Sequence, residues 1–107
     1  MSYYLISPYA RQEEEYKLQN EQLIMELRNM LCAKFGSIEE YMHLIQATDN
    51  DLALEILNDI VNEEKVHAGQ LLRVIKEISE ADAKFFEEGT KRVEEVLNML
   101  KTRCLGN

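Results

Sequence analysis

Two glutamate–histidine pairs in the sequence have the spacing of metal ligands on a helix. Glu64 and His67 lie three residues apart in the segment IVNEEKVHAGQLLRVI, and Glu40 and His43 repeat that spacing in EYMH. Residues three apart project from one face of a helix, so a carboxylate oxygen and an imidazole nitrogen can bind the same ion. This set of donors suits iron or manganese, with zinc as a third candidate.

The first pair also has a structural explanation. Glu64 and His67 fall on an apolar helical stripe, where a carboxylate needs a cation, a proton or water nearby. Counted from the polar turn near residues 49 and 50, Lys34 lies about as far back as Glu64 and His67 lie forward. With a rise of about 1.5 Å per residue, the three groups belong to one layer of a helical hairpin. Glu64 therefore either binds metal with His67 or pairs with Lys34.

The second pair falls at another level of the same hairpin. Glu40 and His43 lie closer to the turn than Lys34 does and off the main apolar stripe of their helix. They are therefore either metal ligands in a locally shifted arrangement or solvated residues at the surface or at a subunit interface.

The elements that must position these residues are all helical. One proline and four glycines in 107 residues leave long stretches free of helix breakers, which predicts a single all-α domain. We predict an N-terminal arm over 1–8, helix 1 over 9–47, helix 2 over 51–78 and helix 3 over 80–104. The short link near residues 48–50 joins antiparallel helices and so predicts a helical hairpin.

Particular residues indicate where the helices begin and end. Ser7 and Pro8 are typical of a helix start, and Gly106 is typical of a helix end. Thr48 and Asp49 can cap helix 2, while Ser79 with Asp82 begins helix 3. Gly36 and Ser37 interrupt the composition of helix 1 without shifting its apolar stripe, so we predict that this helix continues through them.

Apolar stripes predict the face that each helix buries. In helix 1 the stripe comprises Leu27, Leu31, Lys34, Ile38, Tyr41 and Ile45. In helix 2 it comprises Ile56, Ile60, Glu64, His67, Leu71, Val74 or Ile75, and Ile78. In helix 3 it comprises Phe86, Gly89, Val93, Val96 or Leu97, Leu100 and Cys104. Cys32 and Cys104 lack the spacing of a zinc site or a disulfide framework, so we expect packing residues with reduced thiols.

The charge of the chain narrows the choice of partners. A net charge of −8 argues against nucleic acid and anionic membranes, which would repel the chain, and makes cations the natural small ligands. No stretch has the pattern of a signal peptide or the length of an apolar membrane span. These features predict a cytoplasmic protein.

The segment QATDNDLALEILNDIVNEEKVHAGQLLRVI, preceded by Tyr41, resembles the ferritin-like, rubrerythrin-related proteins, most closely the short encapsulated ferritins. The resemblance covers about residues 30–80. It implies a four-helix di-iron fold in which two chains associate, because each short chain carries half a bundle. Glu64 and His67 would then be iron ligands whose copies come from a twofold axis. The implied activity is ferroxidase oxidation of Fe(II) by dioxygen or peroxide, with solvent or Tyr41 transferring protons.

One position departs from the family pattern. With Tyr41 aligned to the family tyrosine, the helix-1 glutamate that lies seven residues earlier falls on Lys34. An ammonium group cannot bridge two ferrous ions, and its charge opposes them. The alternative to a metal site is therefore an ion pair between Lys34 and Glu64 at the position where the family binds metal.

Three functions remain open at this point. The first is a non-haem iron-binding protein, active as a homodimer or higher homo-oligomer. The second is a metal-free ferritin-like structural or interaction protein, and the third is an acidic helical adaptor unrelated to ferritins. The resemblance also makes a shell compartment a candidate partner, although the C-terminal TRCLGN has no convincing targeting signature.

Overall fold

The computed structural model describes residues 13–105, and over this range the chain forms three helices and no strand. These are α1 (Glu13–Ala47), α2 (Asp51–Ile78) and α3 (Glu80–Leu105). The predicted all-α class with three helices is confirmed. The predicted arm, the Ser7–Pro8 helix start and Gly106 lie outside the described residues. None of the three helices is long and apolar enough over its described length to cross a membrane.

The turn between α1 and α2 is fixed by the side chain of Asn50. Its Oδ1 accepts a hydrogen bond from the backbone N–H of Ala53 at 2.9 Å, which caps the start of α2. Thr48 supports the turn instead, because its Oγ1 accepts from the backbone N–H of Asn50 at 3.2 Å. The cap predicted for Thr48 and Asp49 therefore belongs to Asn50, which lies directly before the helix.

Helices α1 and α2 form a hairpin with a continuous seam. On α1 the seam contains the predicted stripe of Leu27, Leu31, Lys34, Ile38, Tyr41 and Ile45, all buried or half-buried. On α2 it contains Leu54, Leu57, Val61, Glu64, Ala68, Leu71 and Ile75, also buried or half-buried. Both sets alternate steps of three and four residues, as in a coiled coil. Helix α1 runs unbroken through Gly36 and Ser37, as the phase of its stripe predicts.

The buried face of α2 differs from the predicted one. Ile56 is 51% exposed, whereas Val61 and Ala68, which were not predicted, are buried. Of the two alternatives Val74 and Ile75, the buried one is Ile75. Apolar residues cover a broad arc of α2, so several stripes fit the sequence while only one can face α1. The prediction was wrong about His67, which lies beside the seam with an exposed side chain next to the buried Ala68.

The beginning of helix α3 is attached to the hairpin. Ser79 Oγ accepts a hydrogen bond from the backbone N–H of Asp82 at 3.2 Å, as predicted for this helix start. Arg28 Nη2 lies 2.8 Å from Asp82 Oδ2 and ties α1 to the first turn of α3. From Lys84 to Cys104 every residue is exposed, so no other part of the described range 13–105 covers the predicted apolar face of α3.

The two cysteines do not pack within the chain. Cys32 on α1 and Cys104 on α3 are free thiols and both are exposed. The prediction that they are packing residues was therefore wrong for the described part of the chain, where no other helix covers either thiol.

The molecule is one helix thick. Its extents are 65 × 44 × 14 Å and its radius of gyration is 20.1 Å. A compact chain of this length would have a radius of gyration of roughly 13 Å, and one helix with its side chains is about 10–12 Å across. Stable domains normally bury apolar faces between two packed layers, and the helices described over residues 13–105 form one layer.

Candidate functional site: a lysine–glutamate–histidine layer

Lys34, Glu64 and His67 meet in the middle of the hairpin seam. The ammonium Nζ of Lys34 donates a hydrogen bond to Glu64 Oε1 at 2.9 Å. The Nδ1 atom of His67 lies 3.3 Å from the same carboxylate oxygen. The hairpin thus brings together the three groups that were predicted to share one layer. Both nitrogen atoms, Lys34 Nζ and His67 Nδ1, approach the same atom, Glu64 Oε1.

The three side chains differ in how far they reach into the seam. The side chain of Glu64 is only 13% exposed, that of Lys34 is 33% exposed and that of His67 is 46% exposed. Glu64 therefore loses most of its contact with water, and the ammonium of Lys34 supplies the compensating charge. The aliphatic stem of Lys34 occupies the seam position while its charged end reaches the carboxylate.

The hydrogen bond from Lys34 holds the pKa of the Glu64 carboxyl below its ordinary value of 4.5. Burial acts in the opposite direction, and hydrogen bonding to His67 and to the Ser37 hydroxyl lowers the pKa further. Ser37 was not predicted to be a site residue. Its signal was available, since it lies three residues after Lys34 and so on the same side of that helix.

The lowered pKa of Glu64 predicts a pH-dependent contribution to stability. A carboxyl whose pKa is lower in the folded state stabilises the fold above its unfolded pKa, and this contribution is lost as pH falls through the folded pKa. We expect the free energy of unfolding of the natural chain, minus that of Glu64→Gln, to stay constant from about pH 7 to about pH 5.5 and to fall below about pH 4.5. Urea unfolding at each pH measures this difference.

A neighbouring carboxylate provides the matched control. Glu63 is exposed and precedes Glu64 directly, so the same difference for Glu63→Gln should change little with pH. A difference for Glu64→Gln that is equally flat down to pH 3 would contradict the lowered pKa.

One side of the layer opens into a groove between α1 and α2. The groove has a volume of about 530 Å³, and its walls are mostly apolar. We call this side the open face, and define it by Met30, Lys34, His67, Gln70, Leu71 and Val74. Met30 and Val74 are 55% and 43% exposed there. The imidazole of His67 therefore lies at the rim of an apolar surface that the described residues leave uncovered.

The other predicted site residues are separate from this layer. Glu40 and His43 are exposed on α1, and neither forms an ion pair with another described residue. Tyr41 is half-buried in the seam, two helical turns beyond Lys34. Over the described part of the chain, no group of three or more histidine, cysteine, aspartate or glutamate side chains is arranged to hold a metal ion.

The arrangement is suited to balancing charge within an apolar seam. It contains one carboxylate, one permanent cation and one imidazole, and the carboxylate oxygen nearest the imidazole already accepts a hydrogen bond from the cation. No protein-family model, curated protein or solved structure matches the chain. The resemblance to ferritin-like proteins therefore stays a prediction, and the function is argued from the geometry of the layer.

Proposed function

We propose that the chain is a self-associating structural or interaction protein with a ferritin-like hairpin, in which Lys34 takes the place of metal as the charge partner of Glu64. One observation carries this proposal, namely the 2.9 Å hydrogen bond from Lys34 Nζ to Glu64 Oε1. It occupies the carboxylate oxygen that lies nearest the imidazole of His67, at 3.3 Å.

The described residues of a single chain do not fit a di-iron centre. Such a centre needs several carboxylates and two imidazoles, whereas this layer has one of each. It also has an ammonium group within hydrogen-bonding distance of the carboxylate, and that cation would repel iron at close range. A second copy would add another glutamate and histidine to the layer, but it would also add another lysine.

Self-association is supported by the thickness of the chain and by its small core. Only Ile38, Val61, Ala68 and Ile75 are buried apolar residues among those described. Packing two open faces together would add the missing layer and give a four-helix bundle, in which Met30 and Val74 become buried. The partner that we propose for the open face is thus a second copy of the chain, joined by a twofold axis.

An iron titration of three proteins tests the proposed function. When the natural chain is mixed with Fe(II) under anaerobic conditions, we expect it not to bind iron in stoichiometric amounts and not to gain thermal stability. Lys34→Glu should bind iron and be stabilised by it, because the change removes the competing cation and adds a carboxylate ligand beside Glu64 and His67. Lys65→Glu makes the same change of charge at an exposed position next to Glu64 and serves as the control.

The titration also decides the rival function, an iron-binding or ferroxidase protein with its metal at a dimer interface. The observation that favours this rival is the position of His67 Nδ1, 3.3 Å from Glu64 Oε1 and beside the open groove. Stoichiometric iron binding by the natural chain that is lost in Glu64→Ala would overturn our proposal. Parallel titrations with Mn(II) and Zn(II) extend the test to the other candidate metals.

A further inference from the structure

We infer that α3 forms a second self-association surface, on which the α3 helices of two copies pack antiparallel to each other. This surface is separate from the open face of the hairpin. It rests on three properties of α3, which are its uncovered apolar face, the unequal distribution of its charges and the spacing of charged residues along one edge of that face.

The apolar face of α3 is too extensive to remain in water. Its large members are Phe86, Val93, Leu97 and Leu100, which are between 40% and 59% exposed. They follow one another in steps of seven, four and three residues, and Thr90 and Cys104 complete a coiled-coil seam. Among the described residues, α3 gains little from tertiary packing beyond its first turns, so a partner helix would supply packing that the described part of the chain does not.

The charges of α3 indicate which partner fits. Glu87 and Glu88 lie next to Phe86 at one end of the apolar face, and Lys101 and Arg103 lie next to Cys104 at its other end. Two copies packed antiparallel place the acidic part of each helix beside the basic part of the other. Two parallel copies would place like charges together. The helix dipoles also favour the antiparallel arrangement.

The edge of the apolar face has the same complementarity. Glu87, Glu94 and Lys101 recur every seven residues along that edge. When Phe86 of one copy lies opposite Cys104 of the other, the twofold axis passes near residue 95, and Glu87 of each copy lies beside Lys101 of the other. Symmetry forms this ion pair twice, while the two copies of Glu94 approach each other near the axis.

Crosslinking with a short bismaleimide tests the orientation of the two helices. In a Cys32→Ser background, Cys104 is the remaining thiol. Antiparallel helices hold the two Cys104 thiols roughly 25–30 Å apart, so this protein should give almost no covalent dimer. Adding Phe86→Cys should give covalent dimer in high yield. Adding Glu87→Cys should also do so, and this variant leaves the apolar face intact.

A charge swap tests the same arrangement without changing the apolar face. In the background that contains Cys32→Ser and Phe86→Cys, we expect Glu87→Lys to slow the formation of covalent dimer about tenfold, because symmetry alters two pairs at once. Combining Glu87→Lys with Lys101→Glu should restore the rate, which parallel helices would not do. Glu94→Gln should increase it, since the change removes a repulsion near the axis.

Several outcomes would overturn the inference. Efficient linkage of Cys104 to its own copy would indicate parallel helices. Failure of both added cysteines to link, in proteins whose circular dichroism shows intact helices, would mean that the hairpin or another protein covers α3. The control is Val74→Glu, which disrupts the open face and should leave the α3 crosslink unchanged, so failure of the hairpin interface can be distinguished from failure of this one.

Discussion

Replacing Ile75 with alanine is expected to lower the free energy of unfolding by about 2–5 kcal/mol, the range for deleting a large buried aliphatic side chain. Ile75 is the most completely buried residue described, at 1% exposure, and it lies in the seam of α2 against α1. The change removes apolar contacts and leaves a cavity in a core that has few other members. Urea unfolding followed by circular dichroism measures the loss.

A matched pair of valines on the same helix controls for helix propensity. Val61 is 4% exposed in the seam, whereas Val66 is 53% exposed on the outer side of α2. Val61→Ala should cost about 1–2 kcal/mol through lost burial and packing, while Val66→Ala should change stability by no more than about 0.5 kcal/mol. Equal effects of the two substitutions would contradict the seam described for α2.

The same contrast explains how much of the fold could be predicted. The stripe of α1 was predicted correctly because Leu27 and Ile38 each have polar neighbours on both sides in the sequence, which fixes the phase of the stripe. On α2 the apolar arc is wide enough to include both Ile56 and Ile75, and the periodicity of the helix alone cannot decide between them. The choice is made by the partner helix, since Ala68 is small enough to let α1 approach while His67 is not.

The site was predicted in part for a related reason. Counting residues from the turn placed Lys34 and Glu64 at one height, because helical rise is nearly constant along both helices. The count could not tell how deeply each side chain reaches. His67 was predicted to be inside the seam and lies at its rim. Ser37 was missed, although its position three residues after Lys34 on the same side of α1 could have indicated it.

An ion pair within an apolar seam raises the question of what it contributes. Two charges removed from water lose hydration, and their attraction often only offsets that loss. A pair of this kind can instead fix which residues face each other, as single polar positions do in coiled coils. Along the seam between α1 and α2, Lys34 with Glu64 would penalise any shift of one helix along the other, because a shifted carboxylate would face an aliphatic residue.

Replacing one or both partners separates these contributions. Lys34→Leu should destabilise the fold strongly, because Glu64, with its side chain 13% exposed, then loses its charged partner and keeps only His67 and the Ser37 hydroxyl among the described residues. The pKa of Glu64 should rise in this variant, since the main cause of its lowering is lost while burial remains. The loss of stability should therefore shrink in acid, where the carboxyl is protonated.

Replacing both Lys34 and Glu64 with leucine should stabilise the fold, whereas Lys34→Leu alone destabilises it. The double replacement completes an apolar seam and leaves no buried charge without a partner, so we expect its urea midpoint to exceed that of the natural chain. If the pair fixes the alignment of the helices, the same variant should also form more than one oligomeric state. Analytical ultracentrifugation would then show a broader distribution of masses. A double variant no more stable than Lys34→Leu alone would show that the charged layer is itself a net source of stability. The role in helix alignment would then give way to one in direct stabilisation of the hairpin.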